Sequence, residues 1–220
     1  MNSAQNKHCQ RARKKHILNR KIKFEKVMKL YYTPRSHFSR KVRILIDAFN
    51  LDVDLVDIGN VAEQFIGVFG PNPLMKVPTL IDKGVPVFDS DYIAQYLVQQ
   101  FDSSDRFQVL TNDAKVLNAR AVMNGVMSAE VELILAERSG IATDAYPRFD
   151  KIRGSISNGL DWLESRAEMF PNQPTYLRFH LNSMWDHLAL YGLVSLDYPK
   201  LYDSVERLRT LTYVEKSAPR

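Results

Sequence analysis

The 220-residue sequence is short of several features, and each shortage excludes a class of protein. It has a single cysteine, Cys9, so it can form no disulfide framework, no cysteine-based zinc site and no dithiol pair. No apolar run approaches the roughly 20 residues that a membrane-spanning helix needs. The polar, basic N-terminus also lacks the apolar core of a signal peptide. We therefore expect a cytoplasmic protein with no membrane partner and no metal.

Acidic residues are almost missing from residues 1–27, where nine lysines and arginines stand against Glu25 alone. This segment carries +8 and the whole chain +5, so the remainder carries −3. A basic arm can bind RNA, DNA or anionic lipid, but the acidic globular part is not expected to bind nucleic acid. The alternatives are a disordered leader without a role, a transit peptide, or a start-site artefact, since Met28 opens the first strand-like run.

Residues 28–104 alternate between strand and helix patterns. The run "VMKLYYT" (27–33) predicts a strand ended by Pro34, apolar residues then recur at helical spacing, and "DVDLVDI" (52–58) alternates with period two. A short helix is predicted around 62–69, then a hairpin "VPTLID" and "VPVFD" turning at Lys83-Gly84, then a helix opening at Ser90. The order βαβαββα predicts a mixed sheet with helices on its faces.

No strand candidate follows residue 105. Helical patterns fill 107–137 and 145–169, and two further helices are predicted over "SMWDHLALYGLVS" and "YPKLYDSVERLR". We therefore predict three parts: a basic, disordered leader (1–27), an α/β domain (28–104) and an all-helical domain (105–220).

Ser36, in "YYTPRSHFSRKVRIL", lies where a strand gives way to a helix. Unsatisfied N–H groups and the positive end of the helix dipole favour an anion there. A serine at this position can donate a hydrogen bond to a thiolate that arrives with a ligand. It can equally be a plain N-cap.

Two further segments suit a ligand site. The proline in "MKVPTL" suits a cis bond that turns the preceding backbone toward a ligand, although edge-strand entry explains it as well. Asp89 and Ser90, at a helix start, can hold the ammonium and carboxylate of an amino-acid end group, or simply cap the helix.

Together these segments resemble the cytosolic glutathione S-transferases, of the serine-dependent bacterial type, over residues 28 to about 218. "SHFSRKVRIL" resembles the family's serine-containing first helix, "NPLMKVPTL" its cis-proline segment and "FDSDYIAQYL" its acid-serine motif. In the C-terminal half, "LDWLESR" resembles the family's fifth helix. "NSMWDHLAL" carries Ser183 and Asp186 at the spacing of its buried helix-capping box. The resemblance implies a thioredoxin-like N-terminal domain (βαβαββα) followed by an all-α domain.

The resemblance also implies an activity and its residues. The protein would conjugate glutathione, as co-substrate, to small hydrophobic electrophiles, perform peroxide reduction in addition, and form a homodimer. Ser36 matches the catalytic serine, and Tyr32 is the reserve candidate because tyrosine-type relatives keep their hydroxyl there. Glutathione binding is assigned by resemblance to Lys76, Val77, Pro78, Asp89 and Ser90.

Several residues depart from the family pattern and bear on activity. His37 and Phe38 replace smaller residues or proline, Met75 replaces a usual glycine, and Asp89 is shorter than the more frequent Glu or Gln. Met123, Met127, Glu130 and Ile134 could line an electrophile pocket or simply belong to the core. The rival hypothesis is a transferase-like adaptor or regulatory protein with little activity. A reductase using its own thiol is nearly excluded, because the only cysteine is Cys9.

Overall fold

The computed structural model describes residues 28–62 and 64–219, so the leader 1–27, with Cys9, lies outside the described residues. A four-stranded mixed sheet has the order β2-β1-β3-β4, with β1 parallel to β2 and antiparallel to β3, and β3 antiparallel to β4. The strands are β1 (Met28–Tyr32), β2 (Val53–Asp57), β3 (Thr79–Asp82) and β4 (Val85–Phe88).

Two helices pack beside the sheet: α1 (His37–Ala48) and α2 (Ser90–Phe101). On α1 the predicted helical spacing is confirmed, because Val42, Leu45 and Ile46 are at most 4% exposed. They share a core with Leu30 and Leu80 of the central strands. This packing fixes the start of α1 relative to the sheet edge.

The turn of the predicted hairpin lies where the sequence places it. Lys83 and Gly84 both have left-handed backbones, with φ of +51° and +81°. Two consecutive positive φ values define the tight turn that matches the twist of paired strands.

The helix predicted around 62–69 is wrong in type. Only a single 3₁₀ turn, Ile66–Phe69, is present among the described residues of this stretch. Gly70 ends it with φ +64°, and a Cβ there would lie 2.9 Å from the Tyr31 ring. Glycine is therefore required for close contact between this loop and β1.

The C-terminal region is helical: α3 (Ala114–Arg138), α4 (Pro147–Glu164), α5 (Tyr176–Tyr191), α6 (Pro199–Arg209) and α7 (Thr212–Glu215). The central helix α5 is buried along most of its length. Its side chains contribute to both hydrophobic cores, because Tyr176 and Phe179 pack with the sheet while Leu181 and Met184 pack with α3 and α4. The fold is a thioredoxin-like mixed sheet followed by a helical region. In the described residues no helix is both long and apolar enough to span a membrane.

The capping box expected at Ser183 and Asp186 is wrong, because both residues lie inside α5. The helix is capped by Thr175, whose side chain accepts from the Arg178 N–H. Ser183 Oγ donates back to Phe179 O at 2.8 Å. Asp186 instead pairs with Arg40 at 2.6 Å, which joins α5 to α1.

Candidate functional site

The strand register brings the three candidate segments to one edge of the sheet. Tyr31 of β1 pairs with Thr79 of β3, and Thr79 pairs with Phe88 of β4. The end of β1, the start of β3 and the end of β4 therefore meet at this edge. Ser36 follows the first, Val77–Pro78 precedes the second, and Asp89–Ser90 follows the third.

Ser36 is half-buried and is the N-cap of α1, its Oγ accepting from the Ser39 N–H at 3.1 Å. Its backbone N–H donates to Thr33 O at 3.1 Å, which closes the turn after β1. A hydroxyl that accepts one bond still has its own proton to donate. Ser36 is thus the N-cap that the sequence allowed, with a donor left for a ligand at the positive end of the helix.

The loop before β3 is shaped by Asn72, a buried residue that sequence reasoning missed. Its Nδ2 donates to Lys76 O at 2.9 Å and to Thr79 Oγ1 at 3.2 Å, while its Oδ1 accepts from the Leu74 N–H at 3.0 Å. The Val77–Pro78 peptide bond is cis, as predicted. The Lys76 side chain is exposed beside it.

Met75, which stands where the family usually has glycine, lies in this same loop. Its φ is +50°, in the left-handed region that disfavours residues with a Cβ. Met75 thus departs from the family pattern at a position whose backbone conformation glycine would adopt without strain.

Asp89 and Ser90 form the start of α2. Asp89 has φ +67° and caps the helix, with its Oδ1 accepting from the Asp91 N–H at 2.8 Å and the Tyr92 N–H at 3.4 Å. The carboxylate is exposed, whereas Ser90 is only 1% exposed. The pair thus presents one exposed carboxylate at the sheet edge, fixed in place by its capping bonds.

Behind this pair lies a buried polar network centred on Asp91. The carboxylate accepts from Lys41 Nζ at 2.9 Å, from Tyr176 Oη at 2.6 Å and from Asn124 Nδ2 at 2.6 Å. Burial alone would raise the pKa of Asp91, but the Lys41 charge and these hydrogen bonds outweigh it and hold that pKa below its ordinary value. Lys41 is fully buried, and desolvation lowers the pKa of its ammonium. The network joins α1 and α2 to α3 and α5.

Tyr32, the reserve candidate, is half-buried at the end of β1. It packs against the core beneath the sheet, and the Arg43 guanidinium lies 5.0 Å from its ring centroid. These contacts give the ring a packing role.

The residues considered for an electrophile pocket belong to the interior. Met123, Met127 and Glu130 are fully buried, and Ile134 is 7% exposed. Two surface clefts found among the described residues lie elsewhere, the larger of about 380 Å³ between Phe170 and Arg207. Of the four, Met123 and Met127 are part of the helical core.

The buried ionic groups are what sequence reasoning missed. Lys41 and Asp91 sit among charged neighbours in sequence, so nothing in the pattern marks them as buried partners. His37 and His187 likewise come together only in the folded chain, with ring centroids 3.8 Å apart.

Comparison with known families points to the same class of protein as the geometry of this site. Residues 30–105 match the family described as glutathione S-transferase, N-terminal domain. The first domain thus resembles that family, and the described chain has the two-part fold of solved glutathione S-transferases. The family also has members without catalytic activity.

One curated relative and two solved structures show how similar this chain is to known proteins. A stringent starvation protein A homolog of Coxiella burnetii is 34% identical over 77 residues, which are 34% of this chain and 35% of that protein. The match thus spans about a third of that relative. A Methylobacillus flagellatus glutathione S-transferase, solved with glutathione bound, is 25% identical at TM-score 0.72, covering 88% of this chain and 100% of its own. A Pseudomonas fluorescens family member with bound glutathione is 21% identical at TM-score 0.76, covering 88% and 99%.

Proposed function

We propose that the chain is a glutathione S-transferase that conjugates glutathione to small hydrophobic electrophiles. Residues 28–104 would form the glutathione-binding domain and 105–220 the helical domain. The observation that carries the proposal is the register that gathers Ser36, Val77 and Asp89–Ser90 at one sheet edge, beside the N-terminus of α1. Two structurally similar proteins were solved with glutathione, which supports this choice of ligand.

The proposed roles follow from the groups at this edge. The exposed Asp89 carboxylate faces the ammonium of the γ-glutamyl end, and Ser90 faces its carboxylate. The Val77 backbone pairs with the cysteinyl backbone of glutathione, and the exposed Lys76 is within the same loop for the glycine carboxylate. These contacts would hold the thiol at the start of α1.

Ser36 and the helix end would then supply the chemistry. The thiol gives its proton to solvent, and the remaining thiolate accepts a hydrogen bond from Ser36 Oγ. The sulfur lone pair forms a carbon–sulfur bond with the electrophile, and the displaced pair leaves with the leaving group. With a peroxide, attack on the O–O bond would give the glutathione sulfenic acid and an alcohol.

The test is retention on glutathione resin followed by a conjugation assay with a generic aryl halide and a peroxide-reduction assay. Ser36→Ala should keep retention and lose turnover at neutral pH. Because this change also removes an N-cap, Asp113→Ala is the matched control. Asp113 caps α3 through the Lys115 N–H at 2.8 Å and lies outside the proposed site. If both variants lose turnover, the effect of Ser36→Ala comes from the lost stability of a helix cap and not from the chemistry of the hydroxyl.

Asp89→Ala tests the binding half of the proposal. It should weaken retention while leaving the pH dependence of the remaining turnover unchanged, because the thiol still meets Ser36 and the helix end. Unaltered retention would remove Asp89 from the site.

A second candidate function is a transferase-like adaptor or regulatory protein with little activity. Burial of the four residues considered for an electrophile pocket favours it, as does the similarity of the first domain to a stringent starvation protein A homolog. Retention on glutathione resin without conjugation or peroxide reduction would support this candidate over the enzyme.

We also propose a homodimer in which the first domain of one subunit packs on α3 and α4 of the other. Apolar side chains are exposed on both surfaces: Leu74 is 69% and Ile66 51% exposed in the first domain, and Leu117 is 46% exposed on α3. A monomeric mass by light scattering at micromolar concentration would contradict the dimer.

A further inference from the structure

Three ligand-type side chains lie together between α1, α3 and α5. His37, Glu130 and His187 are 2%, 0% and 4% exposed. Each can direct one imidazole nitrogen or carboxylate oxygen so that the three atoms lie within 4.8 Å of one another. The residues come from three different helices, so only the folded chain assembles them.

The hydrogen bonding of His37 leaves one ring nitrogen bare. Its Nε2 lies 3.2 Å from Met127 O, and a carbonyl oxygen can only accept, so Nε2 carries the hydrogen. In a neutral imidazole Nδ1 then carries a lone pair and no hydrogen. In the described structure this buried atom has no hydrogen-bond partner. Histidines that bind metals usually donate their other nitrogen to a carbonyl in this way.

Glu130 also has a buried acceptor atom without a hydrogen-bond partner. Its Oε2 accepts from His187 Nδ1 at 2.7 Å, whereas Oε1 is buried with no partner among the described residues. A buried carboxylate without compensation costs several kcal/mol. Two unpartnered acceptors in one buried cluster therefore point to a cation.

We propose that His37, Glu130 and His187 bind one divalent first-row transition metal ion, with zinc as the reference case. Two imidazoles and a carboxylate suit zinc, cobalt or nickel, whereas magnesium and calcium prefer all-oxygen sites. Ligand atoms about 2.1 Å from zinc lie about 3.4 Å apart in a tetrahedral site. Side-chain rotations that move the ligand atoms by about an ångström would thus bring all three into contact with the ion. For His187 to bind the ion through Nδ1, the one hydrogen of its neutral imidazole moves to Nε2.

The ammonium of Lys41, whose charge acts on His37, does not fill this role. Lys41 is one turn along α1 from His37, but its ammonium is already held by Asp91 at 2.9 Å and Asn124 at 3.1 Å. The bound ion would pin the start of α1 to α3 and α5. Because family chemistry needs no metal, its effect is expected on stability rather than as part of the conjugation step.

The experiment uses the full chain, freed of metal by a chelator and titrated with Zn²⁺ against a chromophoric competitor. One ion should bind per chain and raise the melting temperature, while Mg²⁺ should do neither. Changing a residue that only hydrogen-bonds a metal ligand typically weakens metal binding about 10–100-fold. Glu130→Gln and His187→Gln each remove a ligand and should weaken Zn²⁺ binding by more than that. A chain carrying His8→Gln, Cys9→Ser and His16→Gln should bind as the wild type does, which excludes the leader as the site.

X-ray absorption of the zinc-loaded wild-type chain keeps the proposal testable if a core variant fails to fold. The spectrum should show imidazole ligands and no sulfur. Sulfur in the first shell, binding lost only in the leader variant, or no binding of Zn²⁺ in excess over the chain would each overturn the proposal.

Discussion

Loss of Asp91 should destabilise the fold more than loss of its partner Lys41. The pair is asymmetric, because the Lys41 side chain is fully buried while that of Asp91 is 22% exposed. Asp91→Asn leaves a buried ammonium without its counter-charge, which typically costs about 3–5 kcal/mol. Lys41→Met leaves a part-exposed carboxylate that still accepts from Tyr176 and Asn124. We expect that change to cost about 1–2 kcal/mol, close to the loss of one hydrogen bond to a charged group.

The assay is urea unfolding followed by circular dichroism at pH 7 and one fixed chain concentration. A loss of 3–5 kcal/mol is a large part of the 5–15 kcal/mol that a typical domain has. The double variant Lys41→Met/Asp91→Asn should be more stable than Asp91→Asn alone, because no unpaired buried charge remains. The surface pair Lys29–Asp54, 3.5 Å apart with side chains about half exposed, is the matched control. Asp54→Asn should cost less than about 1 kcal/mol.

The reasoning fails if the order is reversed. If Lys41→Met costs as much as Asp91→Asn, and the double variant is less stable than either, the desolvated ammonium is not the dominant cost. The pair would then act through packing and hydrogen bonds.

Three further predictions concern the stability of the fold. Because the folded-state pKa of Asp91 is held below its unfolded value of about 3.9, the unfolded chain binds more protons in acid. Stability should therefore fall as pH drops below about 4, and Asp91→Asn should show a smaller fall in acid-unfolding midpoint measurements. Asp186→Ala leaves the buried Arg40 guanidinium without its carboxylate at 2.6 Å and should cost about 3 kcal/mol in urea unfolding; an unchanged midpoint would mean that the carbonyls around Arg40 suffice. Met75→Gly relieves the φ of +50° and should raise the stability by up to about 1 kcal/mol in thermal melts, whereas a lower melting temperature would show that the Met75 side chain stabilises the loop.

Much of the first domain could be predicted because its signals are local. An apolar and aromatic run marked β1, period-two alternation marked β2, Lys83-Gly84 marked the hairpin turn, and Val42 with its helical neighbours marked α1. The failures have physical reasons. The helix predicted around 62–69 is only the 3₁₀ turn Ile66–Phe69 among the described residues, and Gly70 ends it with φ +64°. The spacing of Ser183 and Asp186 fits a cap, yet both lie inside a helix already capped by Thr175.

The buried polar groups could not be predicted from spacing. Lys41 follows Arg40 in a basic stretch that would suit a solvated helix face, and only the tertiary packing of the folded chain buries both residues. His37 differed from the family pattern, which marked the position as unusual. Its partners, Glu130 and His187, lie 93 and 150 residues further along the chain. Contacts of this kind depend on tertiary packing rather than on local pattern.

The pKa of the glutathione thiol in the bound state tests the central claim most directly. Ultraviolet titration of the thiolate on the wild-type chain should give a value about one to two units below the free thiol, whose pKa is about 8.5. Each unit represents about 1.4 kcal/mol of thiolate stabilisation. Ser36→Ala should move the value back toward that of free glutathione with nearly unchanged affinity. An unshifted thiol pKa in the wild type, or a Ser36→Ala chain that matches it while Tyr32→Phe loses the shift, would contradict the account.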